Sequence, residues 1–197
     1  MSLTEKSLES IFISKVRLKV LKYFLLNPEI EIHLRGAVRE FQEEINAVRR
    51  ELTRLEAAKI VKVQNKGNRK YFELNGEHPF VGDLMSMFHK SYGLGATIID
   101  NSKKMGDVEF AFLTPAFTKN SYYGNQVVDL VVVGTIDLNV LEEVVQKAQK
   151  DLNKEIHYMV LKSSEFQLRK RRKDPFISDL MIQDLIMLIG NIEDFIR

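Results

Sequence analysis

The sequence predicts an α+β protein, two halves joined by a helical connector, and three observations predict it. Apolar residues recur at helical spacing through Lys15 to Ala57. Two β-rich runs follow at once, joined by Asn65-Lys66-Gly67-Asn68. After Gly106 strand-like runs alternate with a helical one around the near-continuous apolar Val127-Val128-Asp129-Leu130-Val131-Val132-Val133. The first half is expected to be helices closed by a hairpin, and the second an α/β layer with a mixed sheet.

Each element has a local cause. Ser14 can cap a helix over 15–26, because Val16, Val20, Leu21, Phe24 and Leu25 share one face and Asn27-Pro28 ends the pattern. Residues 34–41 predict a second short helix and 42–57 a third, with Ile45, Val48, Leu52 and Leu55 on one stripe. At about 100° per residue, Arg50 lies almost opposite that stripe, with Asn46, Thr53 and Arg54 beside it and Arg49 on its shoulder. Strand formers fill 60–64 and 69–74, and the polar residues between them tolerate the positive φ of a tight hairpin.

Residues 78–104 predict the connector, with Phe80, Leu84, Met87 and Phe88 as an apolar stripe weakened in the middle by Gly93 and Gly95. Such a face is a natural place for two copies to pack, so a homodimer is expected. Beyond it, strands are predicted over 108–113, 127–133 and 156–161, with a helix over 138–152. The apolar 127–133 run suits a central strand covered on both faces, and the strand-helix-strand order predicts a right-handed β-α-β unit. A helix over 164–173 ends in five basic residues, and the chain closes with the apolar 185–189. The organisation expected is therefore 1–76, a connector over 77–105, and 106–197.

Composition limits the functions available. With 29 Lys and Arg against 27 Asp and Glu, the net charge is +2, too small to make the whole molecule a polyanion binder. Any nucleic-acid site must come from local arrangement. Residues 31–76 carry ten Lys and Arg against seven Glu, an excess of +3, so the remainder is close to neutral. The absence of cysteine excludes disulfides and thiolate metal sites. There is no signal-like N-terminus and no run of about 18 apolar residues, so a cytoplasmic protein without a membrane span is expected.

The order short helix, arginine-bearing helix, basic hairpin is how a winged helix-turn-helix presents itself to DNA. At Phe12 to Arg17 (FISKVR) and Leu34 to Leu74 (LRGAVREFQEEINAVRRELTRLEAAKIVKVQNKGNRKYFEL), the sequence resembles winged-helix regulators of the arsenic-repressor type. One departure is Lys59, where such proteins usually end the recognition helix with Gly. A left-handed lysine there costs on the order of 1 kcal/mol. From about Val108 to Ile189 the chain resembles the nucleotidyltransferase domain that some of these regulators carry. Active members have Gly-Ser after the first strand and Asp-x-Asp on a later one. Here Pro115 and Ala116 stand at the Gly and Ser, Val127-Val128-Asp129 keeps only the second Asp, and Ile156-His157-Tyr158 offers no third carboxylate.

Those replacements bear on chemistry. Pro115 has no backbone N–H to give a phosphate, Ala116 has no hydroxyl, and a single Asp129 cannot supply the hard oxygen ligands that a pair of magnesium ions needs. The expectation is a nucleotidyltransferase-like fold with no catalytic residues, no metal site and no resident cofactor. The alternative is a nucleotidyltransferase acting on a protein or small molecule despite these changes.

The resemblance and the charge pattern together imply a sequence-specific regulator of transcription that binds double-stranded DNA. Asn46, Arg50 and Arg54 are expected nearest base edges, with Thr53 on the same face and Arg49 on phosphate. Lys66, Asn68, Arg69 and Lys70 are expected to follow the backbone or minor groove from the hairpin, and Arg35 and Arg39 are open between phosphate contact and plain surface charge. A small-molecule or nucleotide effector for the altered second half is admitted by this reading. The run Arg169-Lys170-Arg171-Arg172-Lys173 reads as a solvated helix end, and His33, His78, His89 and His157 lack metal-ligand spacing. Met85, Met87 and Met105 read as core or dimer packing, and Asp129 as a residue held by a hydrogen bond at a strand end.

Overall fold

The computed structural model describes residues 3–120 and 127–197. It is a mixed α+β chain with a three-stranded and a four-stranded sheet, and it divides into two compact units, residues 5–88 and residues 89–197 together with 3–4.

The first unit opens within α1 (Leu3–Ile11), which the sequence reading does not assign, and continues with α2 (Lys15–Leu26). Ser14 caps α2 as expected, its Oγ accepting the Arg17 N–H at 3.2 Å, and Leu18, Val20, Leu21, Phe24 and Leu25 are buried. A two-residue strand β1 (Ile32–His33) precedes α3 (Leu34–Phe41), and His33 Nδ1 caps α3 by accepting the Gly36 N–H at 2.8 Å. The third helix starts later than expected. Gln42 takes a left-handed φ of 51°, and the Glu44 carboxylate then caps α4 (Ile45–Ala57) by accepting the Asn46 and Ala47 N–H groups at 2.8 and 2.9 Å.

Val48, Leu52 and Leu55 are buried as the stripe requires, but Ile45 at the first turn is 37% exposed and Glu51 takes an inward position. Lys59 does adopt the left-handed conformation, φ 58°. Its N–H bonds to Glu56 O and that of Ile60 to Leu55 O, the paired bonds of a Schellman end, while Asn75 Nδ2 donates to the Lys59 carbonyl at 2.8 Å. Strands β2 (Val61–Lys66) and β3 (Arg69–Leu74) then form an antiparallel hairpin whose two-residue turn needs Gly67 at φ +59°. β1 adds to the free side of β3, with Ile32 opposite Phe72 and His33 opposite Tyr71.

The expected connector is two helices, α5 (Val81–Ser91) and α6 (Gly93–Asn101), followed by a 3₁₀ turn. Gly93 at φ +60° makes the break. The buried stripe is Val81, Met85, Phe88 and Tyr92; Phe80, ahead of the helix, is 66% exposed and Met87 lies at the surface. Met105 is fully buried.

In the second unit β4 (Gly106–Leu113), the short α7 (Pro115–Lys119), β5 (Leu130–Ile136), α8 (Leu138–Leu152), β6 (Tyr158–Leu161), α9 (Ser163–Arg171), α10 (Pro175–Met181), β7 (Ile186–Ile189) and α11 (Ile192–Ile196) follow in order. The strand order is β6-β5-β4-β7. β5 and β6 are parallel, joined through α8 as the strand-helix-strand pattern predicts, and the other pairs are antiparallel.

β5 begins three residues after the apolar run does. Its ladder with β4 starts at Leu130 opposite Leu113 and runs through Gly134 to Ile136, whereas Asp129 is held by His157 and Val127 is partly exposed. β6 and α9 differ from expectation by a residue or two at their ends. Phe110, Phe112, Val131 and Val133 face a core with Phe166, Ile177, Leu180 and Phe195 from α9, α10 and α11. Ala111, Leu113, Leu130 and Val132 on the opposite face are equally buried, so this sheet is covered on both sides.

Candidate nucleic-acid interface

A groove of about 990 Å³ lies between α3, α4 and β3, within the first unit. Its position follows from the elements around it. The caps at His33 and Glu44 fix where α3 and α4 start, and the β1–β3 pairing brings the hairpin beside them. Arg35 and Arg39 line it from α3, Arg49 and Thr53 from α4, and Asn68, Arg69 and Lys70 from the turn and β3. Its floor and rim include Leu34, Val38, Ile45 and Phe72.

Five cations thus face a groove to which Glu56 contributes a carboxylate, a local excess of four on a chain whose net charge is +2. Such a concentration raises the local attraction for a polyanion in a way that net charge does not report. Exposed Ile45 ceases to be an anomaly here, since it walls the groove.

Four predicted residues lie outside the groove. Asn46 and Arg50 are exposed on the neighbouring arc of α4. Asn46 Oδ1 accepts a hydrogen bond from Arg49 Nη1 at 3.2 Å, so it steadies a groove arginine. The backbone hydrogen bonds from Asn46 and Ala47, with smaller attractions from Arg50 and Arg49, hold the Glu44 carboxyl below its usual range.

Arg54 and Lys66 are committed to partners. Arg54 Nη1 donates to Glu51 Oε1 at 2.7 Å, and the other oxygen of Glu51 takes Arg17 Nε of α2 at 2.8 Å. Lys66 pairs with Glu31 and lies over the Tyr71 ring at 5.6 Å from its centroid. The partners Glu51, Arg17 and Glu31 were not singled out in the sequence. Glu51 did carry a signal, because at i+3 from Val48 and i−4 from Leu55 it falls on the apolar side of the wheel.

The altered motif of the second unit has its own arrangement. Pro115 takes the first position of α7, where a missing N–H costs nothing, and Thr114 caps that helix through the Ala116 N–H at 3.2 Å. Asp129 is 2% exposed. Its Oδ2 accepts the His157 N–H at 2.8 Å, and its own N–H donates to the His157 carbonyl at 2.7 Å. His157 Nδ1 stands 3.5 Å from the same carboxylate oxygen. The carboxylate thereby joins the chain ahead of β5 to the chain ahead of β6. Lys119 pairs with Asp184 at 2.8 Å. Among the described residues no group of three His, Asp or Glu side chains is placed to hold a metal ion, and no helix is long and apolar enough to cross a membrane.

The remaining histidines have local roles. His33 caps α3, His78 Nδ1 accepts the Phe80 N–H, and His89 is 4% exposed against the Phe117 ring. Burial, with the nearby Lys154 ammonium, pushes the His89 imidazole down to about 4. In the basic run, Arg169 pairs with Glu165 and Lys170 donates to the Phe195 carbonyl, tying α9 to α11.

No family model matches the sequence, and no curated protein matches it. Among solved structures the chain is similar to reduced HlyU from Vibrio cholerae N16961, at 16% identity over 45% of this chain and 88% of that one, with a TM-score of 0.35. It is also similar to human N-acetylserotonin methyltransferase in complex with SAM, at 12% identity over 60% of this chain and 37% of that one, with a TM-score of 0.27. Neither likeness is close enough to carry fold or function, so the chain's own geometry must do so.

Proposed function

We propose that residues 34–74 bind double-stranded DNA and that the protein is a sequence-specific transcriptional regulator acting as a homodimer. The observation that carries this reading is the basic groove, in which α3, α4 and the hairpin bring Arg35, Arg39, Arg49, Arg69 and Lys70 to one concave surface. A concave cationic channel beside an exposed helix suits a duplex: the helix enters the major groove while a phosphate strand follows the channel. Asn46 and Arg50 face base edges, and the groove cations hold phosphate.

The second unit, on this proposal, transfers no nucleotide and serves dimerisation or the sensing of a small molecule or nucleotide. The engagement of Asp129 with the His157 backbone supports that reading, since its carboxylate is spent on structure.

Fluorescence polarisation against genomic duplex fragments tests the DNA reading. A salt-sensitive complex is expected, and Arg50→Ala should lower affinity for the preferred fragment more than for unrelated duplex, by about 1–3 kcal/mol. Absence of binding to any duplex at low salt refutes it.

A further inference from the structure

The ion-pair triad on the inner side of α4 points to control of how loosely that helix holds DNA. Glu51 is 5% exposed, and both carboxylate oxygens are used, one by Arg17 of α2 at 2.8 Å and one by Arg54 of α4 at 2.7 Å. A buried carboxylate needs such partners, because an unpaired charge there is strongly disfavoured. Arg54 is otherwise well placed for a polyanion. It follows Arg50 by one turn on the polar arc, and its side chain is 61% exposed. The pairing differs among the α4 arginines: Arg49 is bonded to the neutral Asn46, whereas Arg54 is paired with an anion that it shares with Arg17.

Resting on the DNA reading above, we infer that Glu51 is a positioning residue for specificity: it withholds the Arg54 charge from phosphate and so restrains binding to unrelated duplex. Specificity is a difference of affinities, and an element that weakens the sequence-independent part raises it. A phosphate contact carries no sequence information, so one fewer cation on the backbone lowers binding to every duplex while base contacts keep their discrimination. Arg17 makes the arrangement stable, since from α2 it supports the buried Glu51 charge that holds Arg54.

The test is the salt dependence of affinity for an unrelated duplex, measured by polarisation on the full chain. Releasing one cation to phosphate steepens the logarithmic slope by about 0.9, an additional loss of about 3.5-fold between 50 and 200 mM salt. Glu51→Gln should show this steepening and bind unrelated duplex more tightly at low salt, although it is less stable to heat. A purely structural Glu51 moves binding in the opposite direction. Arg54→Ala should then remove about 0.9 of slope in the Glu51→Gln background and a small fraction of that in the native chain.

An unchanged or shallower slope for folded Glu51→Gln overturns the inference while leaving the DNA reading intact. Should Glu51→Gln fail to fold, Arg54→Ala alone decides. A loss of slope as large as that of Arg49→Ala, which removes a groove cation on the same helix, overturns the inference, and a much smaller one supports it. A native chain that binds no duplex sinks the DNA reading itself, and this inference with it.

Discussion

Removing two groove cations should change how salt governs DNA binding by an amount set by their number. Five basic side chains line the groove, so five phosphates are its natural complement. At about 0.9 per phosphate, the groove contributes about −4.5 to the slope of log affinity against log salt for each protomer. Between 50 and 200 mM salt that is an affinity loss of about 500-fold. Arg49→Ala with Lys70→Ala leaves three cations and a slope of about −2.7, so the same change in salt costs about 40-fold. Because phosphates carry no sequence information, the double variant should lose affinity for preferred and unrelated duplexes alike. Polarisation of a labelled duplex titrated at stepped salt reads both quantities. A native slope shallower than about −1, or a double variant with the native slope, refutes the assignment of the groove to phosphate.

Three further outcomes test the parts that hold these surfaces in place. His89 is buried and its folded pKa, about 4, lies below the ordinary value, so neutral imidazole is the form the fold favours. Its contribution is full above about pH 6.5 and is lost as pH falls from there towards 4, by about 3 kcal/mol in all. A denaturation series across that range should show His89→Leu with a flatter pH dependence than native, and parallel curves refute the argument. Lys59→Gly should raise stability by about 0.5–1 kcal/mol, because it relieves the left-handed strain but forgoes a cation at a helix end, and the shift in urea midpoint measures it. Asp129→Ala leaves the His157 N–H without its acceptor and should cost about 1–3 kcal/mol, whereas Asp129→Asn, which keeps an acceptor oxygen, should cost less; equal losses contradict the structural role.

Much of the secondary structure is legible because its causes are local. α2 falls where its spacing and the Ser14 cap put it, and α8 spans the expected residues, with Asp137 accepting first-turn N–H groups that the sequence reading does not assign. The hairpin is fixed by Gly67 between strand formers. What sequence does not reveal depends on partners far along the chain. β1 is two residues long and exists because Phe72 and Tyr71 pair with it. In sequence the apolar run could start β5 at Val127 or Val128 as well as at Leu130, and the choice of Leu130 comes from the Asp129 to His157 bond, which spans 28 residues. At the groove, the helical wheel separates the polar arc of α4 from its stripe, but it cannot show that β3 faces Arg49 and Thr53 or that α3 closes the third side.

The same distinction governs charge. Cations counted over residues 31–76 look interchangeable in sequence, yet the structure sorts them by what stands opposite. Lys66 faces Glu31, 35 residues away, Lys62 faces Glu77, and Arg54 faces Glu51, which is shared with Arg17 across 34 residues. The exposed pairs Lys66–Glu31 and Lys62–Glu77 contribute little to stability, so their larger effect is on the field outside the protein. These paired cations lie outside the groove lining, whereas the cations that line the concave surface are opposed there by Glu56. Pairing thus lowers the positive charge beside the groove more than within it. A chain of net charge +2 can in this way present a strong local attraction to a polyanion without becoming a general one.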